Sequence, residues 1–177
     1  DATGNSNAAS TSTDNIVTYD TTRPTVTINQ AAAQVDPTSN SPINFTVVFS
    51  EPVTGLTSAD ITLTGTAGPT TAVVTGTGAT YNVAVSGMTG SGTVTAFVLV
   101  NAAQDAANNS SFASTSLDNT ITYDISVPTV TINQDPAQTD PTGTSPINFL
   151  VVFNKAMDSI TFTGADVTLS GTATGTL

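Results

Sequence analysis

Whatever chemistry this chain performs must be done with oxygen ligands. Its 177 residues include no Cys and no His, 13 Asp and Glu, and two basic residues, Arg23 and Lys155, for a net charge of −11. The ordinary general base, the thiol nucleophile and the soft transition-metal ligands are therefore missing. Paired carboxylates would still permit glycoside hydrolysis, but the acids stand beside Gly, Pro and Asn in turn and linker sequence, so no enzymatic activity is expected. Carboxylate and carbonyl oxygens suit a hard cation, above all Ca²⁺. Phosphate neutralisation needs clustered Lys and Arg, which excludes nucleic acid as a partner. The same count disfavours an anionic membrane surface. With no apolar run of about 20 residues, no membrane insertion is expected in this segment.

The candidate calcium ligands are Asp20, Glu51, Asp60, Asp105 and Asn109, with Asp36 and Asp124 as a second, smaller group. Each also has a purely structural reading. Asp20 and Asp124 cap turns before linkers, Asp36-Pro37 opens a turn, and Asp105 to Asn109 forms a polar loop with Asx turns. Which reading holds depends on the elements that carry these residues and on whether they converge.

Those elements are repeated. Pro24-Thr-Val-Thr-Ile-Asn-Gln30 returns letter for letter as Pro128-Thr-Val-Thr-Ile-Asn-Gln134, a displacement of 128 − 24 = 104 residues. The same offset carries Asn15-Ile-Val-Thr-Tyr-Asp20 onto Asn119-Thr-Ile-Thr-Tyr-Asp124 and Ser41-Pro-Ile-Asn-Phe45 onto Ser145-Pro-Ile-Asn-Phe149. A two-residue insertion then pairs Asp60 with Asp166. A period this long exceeds the 20 to 50 residues or so of helical and propeller repeats and matches one small domain per copy. The expected organisation is the C-terminal strand region of a preceding repeat at 1–20, a complete repeat at 21–124, and the N-terminal part of a following repeat at 125–177.

Within the complete repeat every apolar run is short, mostly alternates with period two, and is bounded by turn residues, the pattern of half-buried strands. Strands are expected at 25–29, 43–49, 60–64, 71–75, 80–86, 92–100 and 119–123. Their inward faces would be Val26 and Ile28; Ile43, Phe45, Val47 and Phe49; Ile61 and Leu63; Tyr81, Val83 and Val85; Val94, Ala96 and Val98; Ile121 and Tyr123. Alternation leaves Phe97 outward. Thr suits the remaining positions, since its branched Cβ favours extended backbone and its hydroxyl tolerates water. The expected fold class is all-β, tandem Ig-like antiparallel β-sandwich repeats without the Cys and Trp of antibody domains.

Tyr19-Asp-Thr-Thr-Arg-Pro24, Phe49-Ser-Glu-Pro-Val-Thr-Gly55 followed by Ala59-Asp-Ile-Thr-Leu63, and Gln104-Asp-Ala-Ala-Asn-Asn109 together resemble the bacterial Ig-like repeats of large extracellular surface proteins and adhesins. The resemblance implies a secreted, cell-surface, non-catalytic stalk or filament, and in several branches Ca²⁺ near domain junctions. Tracing the strands places Asp20, Glu51, Asp60 and Asp105 with Asn108 or Asn109 at the entry pole of the domain, and Asp36 with Asp124 near the exit linker. Lys155 replaces Glu51 in the second copy, so successive junctions would differ. Expected partners are neighbouring repeats of the same protein, and lateral or head-to-tail copies in a fibre. An alternative function is a fibre subunit polymerising by strand donation between incomplete domains. Against it, 125–177 supplies counterparts of the first three strands and 1–20 that of the last, leaving the intervening ones without a source.

Overall fold

The computed structural model describes residues 1–158 and 161–173. Contacts divide the chain between Ile125 and Ser126 into two units. In the first, β1 (Val26–Gln30), β2 (Ile43–Val53) and β4 (Thr71–Ser86) form one antiparallel sheet in the order β1-β2-β4. A second sheet runs β3 (Ile61–Thr64), β5 (Gly92–Val98), β6 (Thr120–Tyr123), again antiparallel. The expected all-β class holds, and among the described residues no helix is long and apolar enough to cross a membrane.

The period-two alternation explains the core. Val26, Ile28, Ile43, Phe45, Val47, Val83 and Val85 from one sheet are buried together with Val94, Ala96, Val98 and Ile121 from the other. Ile61 and Leu63 are only partly buried, and Phe97 is 41% exposed, as alternation requires. Tyr81 keeps its ring in the core, edge-on to Phe49 at 5.9 Å, while its hydroxyl donates to the Val53 carbonyl at 2.9 Å. A buried Tyr needs such a partner.

The strands expected separately at 71–75 and 80–86 are one continuous strand, β4. Gly76 and Gly78, which read as a break, instead adopt positive φ inside it, opposite the irregular stretch of β2 between Val48 and Val53. Glycine meets that backbone without a Cβ penalty, so the chain bends there while the strand continues. The expected strand at 43–49 likewise extends to Val53, and that at 92–100 stops at Val98.

Two irregular segments finish the unit. Residues 112–118 run along β1, with Phe112 N–H donating to Pro24 O, Thr115 N–H to Val26 O and Gln30 N–H to Asp118 O. On their other side, Ser114 N–H donates to Val98 O. Residues 36–38 lie parallel to β6, joined by Thr38 N–H to Thr122 O and Asp124 N–H to Thr38 O. Both segments satisfy backbone groups that an open sheet edge would leave unpaired.

In the second unit, β7 (Val130–Gln134) pairs antiparallel with β8 (Phe149–Phe153). The register Val130↔Phe153 is that of Val26↔Phe49 displaced by 104 residues. Thr163 and Asp166 cap a single 3-10 turn as Thr57 and Asp60 do in the first unit.

Candidate metal centre

Three segments meet at the start of β1. Thr25 N–H donates to Ser50 Oγ at 3.0 Å and Ser50 N–H to Thr25 O at 2.9 Å, which holds the end of β2, and hence Glu51, beside the linker. Thr54 and Gln104 exchange backbone hydrogen bonds of 2.8 and 2.9 Å, fastening the loop after β5 to the same strand end. The linker supplies Asp20, β2 supplies Glu51 and the loop supplies Asp105. One carboxylate oxygen from each lies within 4.8 Å of the others.

Like charges at this separation repel by about 1 kcal/mol per pair even at the dielectric of water. A divalent cation among them would reverse the sign, and the donors are the hard oxygens that Ca²⁺ accepts. Carbonyls or water would have to complete the six to eight ligands that it takes.

Asp105 is 5% exposed and already well used. Its Oδ1 accepts from Ala107 N–H at 2.8 Å and Asn109 N–H at 2.9 Å, and its Oδ2 from Asn109 Nδ2 at 3.0 Å. Burial alone would push this carboxyl up. The bonds from the Asn109 side chain, Asn109 N–H and Ala107 N–H outweigh it and hold Asp105 below the ordinary carboxylate range. Asn109 Nδ2 also donates to Asp20 O at 3.2 Å, so this amide joins the loop to the linker.

Asp1, the counterpart of Asp105, builds the same turn at an exposed position, accepting from Thr3 N–H at 2.9 Å, Asn5 N–H at 3.0 Å and Asn5 Nδ2 at 3.0 Å. The Asp-x-x-x-Asn loop is therefore encoded locally, and what the copy at 105–109 adds is the convergence with Asp20 and Glu51.

The other candidates are engaged elsewhere. Asp60 Oδ2 accepts from Thr57 N–H at 2.8 Å and Thr57 Oγ1 at 2.7 Å, the capping box of the 3-10 turn at Ser58–Asp60, and it stands outside the carboxylate trio. Asp36 Oδ1 accepts from Thr122 N–H at 2.9 Å, locking residues 36–38 onto β6. Asp124 Oδ1 accepts from Ser91 Oγ at 3.2 Å.

Arg23 is the residue that sequence reasoning passed over. Its Nε donates to Ser110 O at 2.6 Å, its Nη2 to Ser111 O at 2.8 Å and to Asn101 Oδ1 at 2.9 Å, and its guanidinium lies 4.3 Å from the Phe112 ring centroid. The linker is thereby clamped to the loop that carries Asp105. The available signal was that the single basic residue of the repeat precedes Pro24, which opens the strand sequence that recurs at Pro128. In the second unit Val127 takes the place of Arg23 and Lys155 that of Glu51. There Lys155 Nζ donates to Ser126 O at 2.9 Å and also to Ser126 Oγ. Each unit uses its only basic side chain to bind its own entry segment.

Comparison with protein-family models, with curated proteins and with solved structures returned no match to this chain.

Proposed function

We propose that the chain consists of Ig-like β-sandwich repeats forming a non-catalytic spacer or stalk in a secreted bacterial surface adhesin or extracellular fibre. The single observation that carries this reading is that the first unit encloses its own core between sheets ordered β1-β2-β4 and β3-β5-β6. Ig-like domains likewise divide strands A, B and E from C, F and G between two sheets, which supports the reading, although the fourth strand that pairs with the fifth in those domains is not an element separate from β4 among the described residues. The 104-residue sequence echo makes the unit one bead of a series. In such a molecule reach grows with copy number, and the task of each junction is to limit bending. Arg23, Pro24 and the Asp105 loop serve that task by fixing the linker to the domain it enters.

Ca²⁺ at Asp20, Glu51 and Asp105 belongs to the same proposal, as a second fastening of linker to domain. Scattering and thermal unfolding of the 177-residue chain, with Ca²⁺ and with chelator, test it. Calcium is expected to raise the midpoint of the first unit and to narrow its distribution of shapes, and Glu51→Lys, which copies Lys155, is expected to abolish both responses. Unchanged midpoint and scattering would remove calcium from the proposal. The spacer reading itself is tested by pulling a multi-repeat chain, which is expected to give evenly spaced unfolding events of roughly 30 to 35 nm, as about 3.5 Å per residue dictates. Irregular or absent steps would overturn it.

A further inference from the structure

The segments by which the chain enters and leaves the first unit are bonded to each other, and the direction of that pairing sets how the unit meets a pull along the chain. Phe112 N–H donates to Pro24 O at 2.9 Å, Thr115 N–H to Val26 O at 3.0 Å, Ile28 N–H to Ser116 Oγ at 3.1 Å and Gln30 N–H to Asp118 O at 2.6 Å. Residue numbers rise together on both sides, so β1 and residues 112–118 lie parallel. Asn29 Oδ1 adds bonds from Leu117 and Asp118 N–H, at 3.4 and 3.2 Å.

The same direction holds beyond β1. Thr38 bridges β6 in parallel, with Thr38 N–H donating to Thr122 O at 2.9 Å, Asp124 N–H to Thr38 O at 2.8 Å and Thr122 N–H to Asp36 Oδ1 at 2.9 Å. At the entry end Arg23 reaches Ser110 O and Ser111 O. The pairing therefore runs from the residue before β1 to Asp124. It also ties the two sheets together, because β1 belongs to the first while residues 112–124 include β6 of the second and are bonded to β5 through Ser114 N–H to Val98 O and Ala96 N–H to Asn119 O.

Tension that enters at residue 22 draws β1 toward the entry pole, and tension that leaves at residue 125 draws 112–124 toward the other. Parallel strands drawn in opposite senses must slide along each other, so the hydrogen bonds between them are loaded together rather than in succession. Sliding also costs burial. Pro24, Val26 and Ile28 are fully or almost fully buried on the inner face of the entering strand and Ile121 on that of the leaving one, and a one-residue slip turns such positions outward.

We propose that β1 with residues 36–38, paired to residues 112–124, is a shear clamp that carries tension through the unit. This rests on the spacer reading, since a stalk is held at both ends. What the clamp raises is the barrier to forced unfolding, a kinetic quantity separate from equilibrium stability.

Single-molecule pulling of the 177-residue chain along two directions tests it. The chain has no Cys, so pairs introduced at exposed positions give unique attachment points. Thr22→Cys with Ile125→Cys loads the pairing in shear. Thr22→Cys with Ala113→Cys places both handles at the entry pole, where Phe112 meets Pro24, and peels the same bonds one after another. At one loading rate and in chelator, the first pair is expected to unfold at a several-fold higher force than the second. Asp36→Ala, which removes the acceptor of Thr122 N–H at the far end, is expected to lower the first force and leave the second unchanged. Equal forces along the two directions would overturn the clamp. So would an Asp36→Ala effect of the same size in both, which would show a loss of general stability. The spacer reading is tested separately by step length: a single step of roughly 30 to 35 nm from the first pair marks one bead whatever the force, and its absence removes that reading.

Discussion

At the scale of single residues, the entry of the linker depends on two side chains of opposite sign. Arg23 binds two backbone carbonyls, Asn101 and the face of Phe112 at once. Charged hydrogen bonds of this kind are worth about 1.5 to 3 kcal/mol, with a cation–π contact adding about 0.5 to 1. Arg23→Ala is therefore expected to destabilise the first unit by about 2 to 3 kcal/mol in urea unfolding, and Phe112→Ala by about 1. Equal costs would mean that the aromatic contact, rather than the carbonyls, holds the linker. Asp105 makes a pH-dependent contribution. Its carboxyl is held below the ordinary value of 3.8 by the bonds from Asn109 and Ala107, so ionised Asp105 favours the folded state. That contribution is fully present above the unfolded value and is lost as pH falls through the lowered folded one. Asp105→Asn is accordingly expected to lower the urea midpoint at neutral pH, and the gap from the parent chain is expected to narrow as the pH is taken below 3.8. A gap that stays constant with pH would show that loop geometry rather than charge is lost.

At the scale of elements, the difference between what could be read and what could not follows the range of the interaction. The inward positions of the strands follow from alternation, since a one-residue slip would expose every core side chain. Ile28, Phe45, Val83 and Val94 are all 0% exposed where alternation puts them. Turn and strand cannot be separated by local sequence at Gly76 and Gly78, because glycine at positive φ serves a hairpin and a bulge equally well, and only pairing with β2 decides between them. The same limit applies to the candidate site. Asp20, Glu51 and Asp105 could be grouped because strand order sets which loops share a pole. Asp60 and Asp36 lie outside that trio, and each accepts from a backbone donor, Thr57 N–H and Thr122 N–H, that composition does not reveal. One glycine is fixed by the second sheet rather than by a turn alone. Gly65 has φ +125, and a Cβ there would stand 2.1 Å from the Thr93 carbonyl oxygen. Gly65→Ala combines left-handed backbone strain with a main-chain clash and is expected to cost more than about 3 kcal/mol in denaturant unfolding. A cost under about 1 kcal/mol would mean that the turn between β3 and β4 yields freely.

At the scale of the whole molecule, identical sequence stands in two different environments, and this allows position in the repeat to be separated from burial. Phe45 and Phe149 occupy the same place in Ser-Pro-Ile-Asn-Phe and the same register against Gln30 and Gln134. Phe45 is fully buried among side chains from both sheets, whereas Phe149 is 55% exposed. Hydrophobic stabilisation follows area removed from water and the cavity left behind, not sequence context. Phe45→Ala is therefore expected to lower the stability of the main unfolding transition by about 3 to 5 kcal/mol. Phe149→Ala is expected to change it by no more than about 0.5 kcal/mol, as a surface substitution does. Far-ultraviolet circular dichroism in urea reads both, and an equal loss would overturn the assignment of the core to the first unit.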